Sequence, residues 1–246
     1  MFQVACIVDP GANRAQNDDR AAVNGAVIAE GPFMDNNAAS CLAVVCDGVG
    51  GRAFGGEAAD IAAEIFSRLG GVKLNKDIID GFIRSANEAV VAVQRTDSRH
   101  AHMATTIAGL YVNDSGYIAF NVGDSRVYRF RAPYLAQISK DHSVWQEQTD
   151  AGAAPRPEYK RVITRYLGGD YAAPEIVCGD GRALSGDLYM LCTDGVWGAI
   201  SDDEIEGILS MNEGYGLDVI CTLIIDTALR NGSDDNLSII IVRRAD

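Results

Sequence analysis

Aspartates stand at the ends of apolar runs in this 246-residue chain, and the pattern recurs. Leu42-Ala43-Val44-Val45-Cys46 leads to Asp47-Gly48, and Leu188-Tyr189-Met190-Leu191-Cys192-Thr193 leads to Asp194-Gly195. In each, an apolar strand carries a carboxylate to its C-terminal end, and glycine then lets the backbone turn sharply. Two more acidic clusters flank candidate strands, Asp124 in Gly123-Asp124-Ser125-Arg126 and Asp235 in Asp234-Asp235-Asn236-Leu237-Ser238, and near the start Asp18-Asp19 stand behind Arg14-Ala15-Gln16-Asn17. Any one could be a turn aspartate bonding its own backbone. Gathered at strand ends that pack in one core, they would repel and be costly to hold ionised. Divalent cations resolve that. An all-oxygen donor set in a chain with three histidines favours Mg2+ or Mn2+ over zinc or copper.

The elements that must position these acids can be read from periodicity. Strands are predicted at 2–8, 41–46, 106–112, 117–122, 126–130, 135–138, 188–192 and 237–242. The turn Asn113-Asp114-Ser115-Gly116 joins two of them as an antiparallel hairpin. Three helices are predicted, with apolar faces Ala58/Ile61/Ala62/Ile65/Phe66/Leu69, Ile79/Phe82/Ile83/Ala86/Val90/Val93 and Leu217/Ile220/Cys221/Ile224/Ala228. Two helices in succession, then strands on short turns, then a helix before the last strand is not the βαβα alternation of a doubly wound sheet. A largely antiparallel pair of sheets covered by helices fits better. Residues 143–167 read as a short helix followed by an irregular surface flap carrying Pro155 and Pro157.

Bulk properties narrow the classes. Twenty-one basic against 34 acidic residues give a net charge of −13, which disfavours nucleic acid and anionic membrane as partners. No apolar run approaches the ~20 residues that span a bilayer. The N-terminal stretch lacks a basic region, and Asp9 ends its apolar run early, unlike a signal peptide. The six cysteines are scattered without a CxxC pair and are expected to be buried and reduced, so a cytoplasmic setting is expected. His100 and His102 are expected in solvent past a helix, and His142 as a structural, loop-anchoring residue.

Gly48-Val49-Gly50-Gly51-Arg52-Ala53, with a strand before and a helix after, matches a dinucleotide-binding fingerprint. Asp47 stands where it would repel a pyrophosphate, and Asp77 and Asp80 begin a helix instead of ending a second parallel strand. The match is rejected.

Taken in order, Arg14-x-x-Asn17-Asp18-Asp19, Asp47-Gly48-x-Gly50-Gly51, Gly123-Asp124-Ser125-Arg126, Asp141-His142-Ser143, Asp194-Gly195 and Asp234-Asp235-Asn236-x-Ser238 resemble the motifs of the metal-dependent protein phosphatases, the PPM or type 2C serine/threonine phosphatases, in their compact bacterial form. The resemblance runs from about Val8 to Val242. It implies an α+β fold, a four-layer α-β-β-α sandwich of two mostly antiparallel sheets, as one catalytic domain over 1–246 with the flap at about 143–167. It implies hydrolysis of phosphoserine and phosphothreonine in proteins by direct attack of a water bridging two Mn2+ or Mg2+ ions. Asp47 would bridge both ions, with the Gly48 carbonyl on one; Asp194 and Asp235 would complete the first. Asp19 or Asp18, Asp19 ranked ahead, would hold the second, and Asp124 with Asp194 a weaker third. Arg14 would clamp the substrate phosphate, its fork matching two phosphate oxygens. The basic flap, with Arg156 and Lys160, would receive an acidic phosphoprotein surface. The implied partners are phosphoprotein substrates of a serine/threonine kinase, and a monomer is expected.

Two departures stand out. Val49 occupies a position where many relatives carry a histidine proposed as general acid, and Gly198 one where many carry an acid touching the third metal. An inactive phosphatase-like binding module and a metallohydrolase of small phosphoesters are the alternatives.

Overall fold

The computed structural model describes residues 1–49, 54–169, 173–179 and 182–245. The strands, numbered along the chain, form two sheets. In the first, β4 (Gly31–Ala38), β1 (Phe2–Asp9), β12 (Leu237–Arg244), β11 (Leu188–Cys192), β8 (Arg126–Arg131) and β9 (Tyr134–Gln137) lie side by side. In the second the order is β10 (Glu175–Gly179), β7 (Gly116–Val122), β6 (Ile107–Asn113), β5 (Cys41–Asp47), β2 (Asp19–Val23) and β3 (Ala26–Ile28). Neighbours in both sheets pair antiparallel.

Alternation explains the layering. On β1, Phe2, Val4, Cys6 and Val8 enter the core between the sheets with Ala21, Val23, Ala43, Val45 and Leu110 from the second sheet. Ala5 faces the other way, onto the helices α5 (Asp202–Met211) and α6 (Leu217–Arg230). β5 is apolar without alternation because both its faces are covered: Cys41, Ala43 and Val45 point between the sheets, and Leu42, Val44 and Cys46 meet α1 (Gly55–Ser67) and α2 (Lys76–Gln94). The result is the expected helix–sheet–sheet–helix sandwich.

Four strands were not expected. β4 is a polar edge strand containing Pro32, while β2 and β3 are short, and none of the three alternates cleanly. β10 falls in a stretch for which no element is predicted. The one-turn helix α4 (Asp194–Trp197) and helix α5 are also unforeseen, although Ser201-x-x-Glu204 before Ile205 announces the second: Ser201 and Glu204 form a capping box.

The flap opens with α3 (Val144–Asp150), capped by Ser143, and continues through a 3-10 turn at Pro157–Arg161. Its base is tied down: Val144 N donates to the Val162 carbonyl at 2.9 Å, Thr164 N to that of His142 at 2.8 Å and Leu167 N to that of Thr105 at 2.8 Å. The six cysteines are free thiols. Five are buried as expected, and Cys178 on the edge strand β10 is exposed. His100 also departs from expectation. It stacks on Phe54 with ring centroids 4.1 Å apart, and its Nε2 lies 3.1 Å from Glu57.

Candidate metal centre

Antiparallel pairing brings the aspartates to one edge of the sandwich. In the second sheet Asp19 opens β2 opposite Asp47, which closes β5. In the first, Asp194 follows β11 where Cys192 pairs with Ile239, just past Asp235 at the head of β12. Asp124 lies in the turn between β7 and β8, strands of different sheets.

Local chemistry fixes each turn. The Asp47 backbone is held on both sides, its N–H donating to Thr106 Oγ1 at 3.2 Å and its carbonyl accepting from Thr105 Oγ1 at 2.9 Å. Gly48 is required by packing: a Cβ there would lie 2.4 Å from the carbonyl carbon of Gly55. At Gly195 a Cβ would lie 2.0 Å from the Asn236 carbonyl oxygen. Asn236 ties the arginine loop to the Asp235 turn: its Oδ1 accepts from Asp18 N at 2.9 Å, and its Nδ2 donates to the carbonyls of Pro10 at 2.8 Å and Gln16 at 3.1 Å.

The outcome is a cleft of about 360 Å3 lined by Arg14, Asp47, Val49, Thr106, Asp124, Arg161, Ile163, Asp194 and Asp235. Asp19 lies buried beneath it, 1% exposed. Asp18 turns to a neighbouring groove that shares Arg14 with the cleft. Arg156 and Lys160 are not at the cleft; Lys160 caps the Trp145 ring with Nζ 5.1 Å from its centroid. The flap residues that do reach the cleft are Arg161, which the sequence shows only as one member of the flap's basic cluster, and Ile163, which it does not single out. Gly50 and Gly51 lie outside the described residues.

The electrostatics are those of crowded carboxylates. Burial, then Asp19, Asp194, Asp124 and Asp235, holds Asp47 well above the usual carboxylate range. Asp124 is raised likewise by burial and then Asp194, and Asp194 by burial and then Asp235. Asp19 is pushed up to about 7, chiefly by burial. Among the described residues no three His, Cys, Asp or Glu side chains are already drawn in to enclose an ion. The acids take protein partners instead: Arg14 bonds Asp235, and two hydroxyls bond Asp19. An oxygen-only donor set whose members resist ionisation is what hard divalent cations fit, since cations remove the repulsion.

His142 anchors the Asp124 turn. Gly123 N donates to His142 Nδ1 at 3.1 Å, and His142 N to the Gly123 carbonyl at 2.9 Å.

Residues 15–215 match the family model described as Protein phosphatase 2C. The serine/threonine protein phosphatase PstP of Mycobacterium tuberculosis is 28% identical over 208 residues, covering 81% of this chain and 40% of that protein. The serine/threonine phosphatase stp of Listeria monocytogenes is 26% identical over 250 residues, covering 96% of this chain and 93% of its own. The crystal structure of the M. tuberculosis phosphatase PstP/Ppp superposes with a TM-score of 0.84 at 26% identity, over 100% of both chains. The catalytic domain of PstP in complex with two manganese ions superposes at 0.82 with 27% identity, again over 100% of both. With more than half of its length matched and its fold shared, the chain belongs to the protein phosphatase 2C family.

Proposed function

We propose that the chain is a metal-dependent serine/threonine protein phosphatase, acting as one catalytic domain on phosphoserine and phosphothreonine in other proteins. The observation that carries this is the convergence of Asp47, Asp124, Asp194 and Asp235 on one cleft with Arg14. Asp47 would serve both ions, with the Gly48 carbonyl beside it; Asp194 and Asp235 would complete one ion, and Asp19 or Asp18 the other. Asp124 with Asp194 would offer a weaker third position, since Gly198 brings no carboxylate there. When bound, Mn2+ or Mg2+ supplies a water of lowered pKa and neutralises charge growing on the phosphoryl oxygens.

The protein's own part is binding and orientation. Arg14 presents its guanidinium fork to the phosphate, and Arg161 adds positive charge at the flap side of the cleft. Val49 lines the cleft without a proton to give, so the leaving serine oxygen is protonated from water. Arg156 and Lys160 on the flap would meet the protein substrate outside the cleft. Among the described residues no helix is long and apolar enough to cross a membrane. The chain would act as a cytoplasmic monomer on the products of a serine/threonine kinase.

The test is phosphate release from a phosphothreonine peptide by the full chain. Turnover is expected with added Mn2+ and none in EDTA. Full turnover by metal-free protein in chelator overturns the reading.

A further inference from the structure

Beneath the cleft, one carboxylate from the second sheet meets two hydroxyls from the first. Thr193 Oγ1 donates to Asp19 Oδ2 at 2.8 Å, and Ser238 Oγ donates to the same oxygen at 2.7 Å. The donor directions are fixed by the surroundings. Ser238 N donates to Thr193 Oγ1 at 3.0 Å, so that oxygen already accepts a bond and its own proton is directed to Asp19. Thr193 N closes the arrangement on the Ser238 carbonyl at 3.1 Å. Thr193 and Ser238 are fully buried and Asp19 is 1% exposed, so water does not compete for these bonds.

Two donors on one carboxylate oxygen occupy its lone pairs and leave Oδ1 alone to act. Asp19 pairs directly with Asp47 in the β2–β5 register, so that oxygen belongs to the neighbourhood of the cleft floor. The candidate ligands are split between the sheets, with Asp47 and Asp19 on the second and Asp194 and Asp235 on the first. The two hydroxyl bonds cross that division directly under the cleft.

We propose that Thr193 and Ser238 are positioning residues that hold Asp19 as a one-oxygen donor to the metal centre and fix the spacing between its two halves. The proposal rests on the two-metal reading above. Without the hydroxyls the buried carboxylate turns about its own bond, and each incoming ion must first order it, which weakens metal binding. Partners that orient a ligating group in this way typically carry a 10–100-fold effect on metal affinity.

Mn2+ binding to the metal-free full chain, measured by titration calorimetry, tests it. Thr193→Val keeps the shape and loses the hydroxyl; Thr193→Ser loses one methyl and keeps it. Thr193→Val and Ser238→Ala should each raise the Mn2+ Kd about tenfold or more, and Thr193→Ser should stay within about threefold of wild type. Thr193→Val in EDTA should still fold cooperatively, melting lower by no more than about 10 °C, because the buried Ser238 N loses its acceptor. Should Ser238→Ala not fold, the threonine pair decides. Wild-type protein that binds no Mn2+ would fail the functional reading itself. Wild-type binding with unchanged Kd in Thr193→Val overturns the positioning role. So does an equal loss in Thr193→Ser, which would make the methyl the important group, or a Thr193→Val chain unfolded in chelator, which would make the pair an element of the fold.

Discussion

Arg14 places Nη2 2.8 Å from Oδ2 of Asp235, a residue 221 positions away, and Nε 3.1 Å from the carbonyl of Asp234. The two side chains are 40% and 29% exposed, so solvent screens the pair and it gives the fold at most about 1 kcal/mol. Its value is in placement, because the fork is held over the cleft before a phosphate arrives, which lowers the ordering cost of binding. Arg14→Ala should therefore melt within about 4 °C of wild type. KM for a phosphothreonine peptide should rise about tenfold or more, with kcat falling less. Arg14→Lys should recover only part of the loss, having no planar fork. Steady-state kinetics decide: an unchanged KM with collapsed kcat would mean the arginine acts in the transition state alone.

Asp47 and Asp235 invite a charge-removing test. Asp47→Asn and Asp235→Asn keep volume and lose the negative charge that a cation needs. Each should cut kcat well beyond tenfold, a barrier rise above about 1.4 kcal/mol. The metal-free proteins should behave oppositely. Because burial and four neighbouring acids disfavour the ionised Asp47, the neutral amide should leave Asp47→Asn at least as stable as wild type in EDTA at pH 8. Retention of more than about a tenth of kcat would remove Asp47 from the bridging role.

The acids were legible because they sit where apolar runs stop, and antiparallel pairing then does the gathering. Asp47 closes β5 and Asp194 stands two residues past the end of β11, and the apolar residues of both strands announce them. What stayed hidden depends on distant packing. Arg161 belongs to an irregular flap, and nothing local says that its side chain borders the carboxylates. Thr193 and Ser238 stand inside recognised motifs, yet their shared acceptor on Asp19 lies 174 and 219 residues away. Edge strands such as β4 escaped because Gly31-Pro32 and a polar run carry no period of two. Helix α5 could have been found from its capping box alone.

The flap separates phosphate chemistry from protein recognition. Arg156 is 73% exposed beside Glu158, and Lys160 rests on Trp145, so neither borders the carboxylates. Charge reversal at both, Arg156→Glu with Lys160→Glu, should lower kcat/KM on an acidic phosphoprotein severalfold through lost charge complementarity. Turnover of a small aryl phosphate should be unchanged. Arg161→Glu, which brings an acid to the cleft, should depress both substrates. A parallel fall for both substrates in the Arg156/Lys160 variant would mean the flap shapes the centre, and no fall in either would make it a passive loop.

His142 supplies a pH signature independent of catalysis. Its Nδ1 accepts a hydrogen bond from Gly123, which requires a ring unprotonated at that nitrogen. Burial, then Arg165 and Lys140, lowers its pKa from 6.5 to about 4. The folded value lies below the unfolded one, so between these limits the unfolded chain binds more protons. Stability from this group is therefore complete above pH 6.5 and is lost as pH falls towards 4. The shift corresponds to at most about 3 kcal/mol. His142→Asn offers an amide oxygen to Gly123 N but cannot titrate. Its unfolding free energy, from urea titrations in EDTA at pH 7, 5.5 and 4.5, should change less unfavourably towards acid than that of wild type, the raised carboxyls of Asp19, Asp47, Asp124 and Asp194 acting in the opposite, acid-stabilising sense in both proteins, and parallel pH dependences for the two would remove His142 as a source of acid sensitivity.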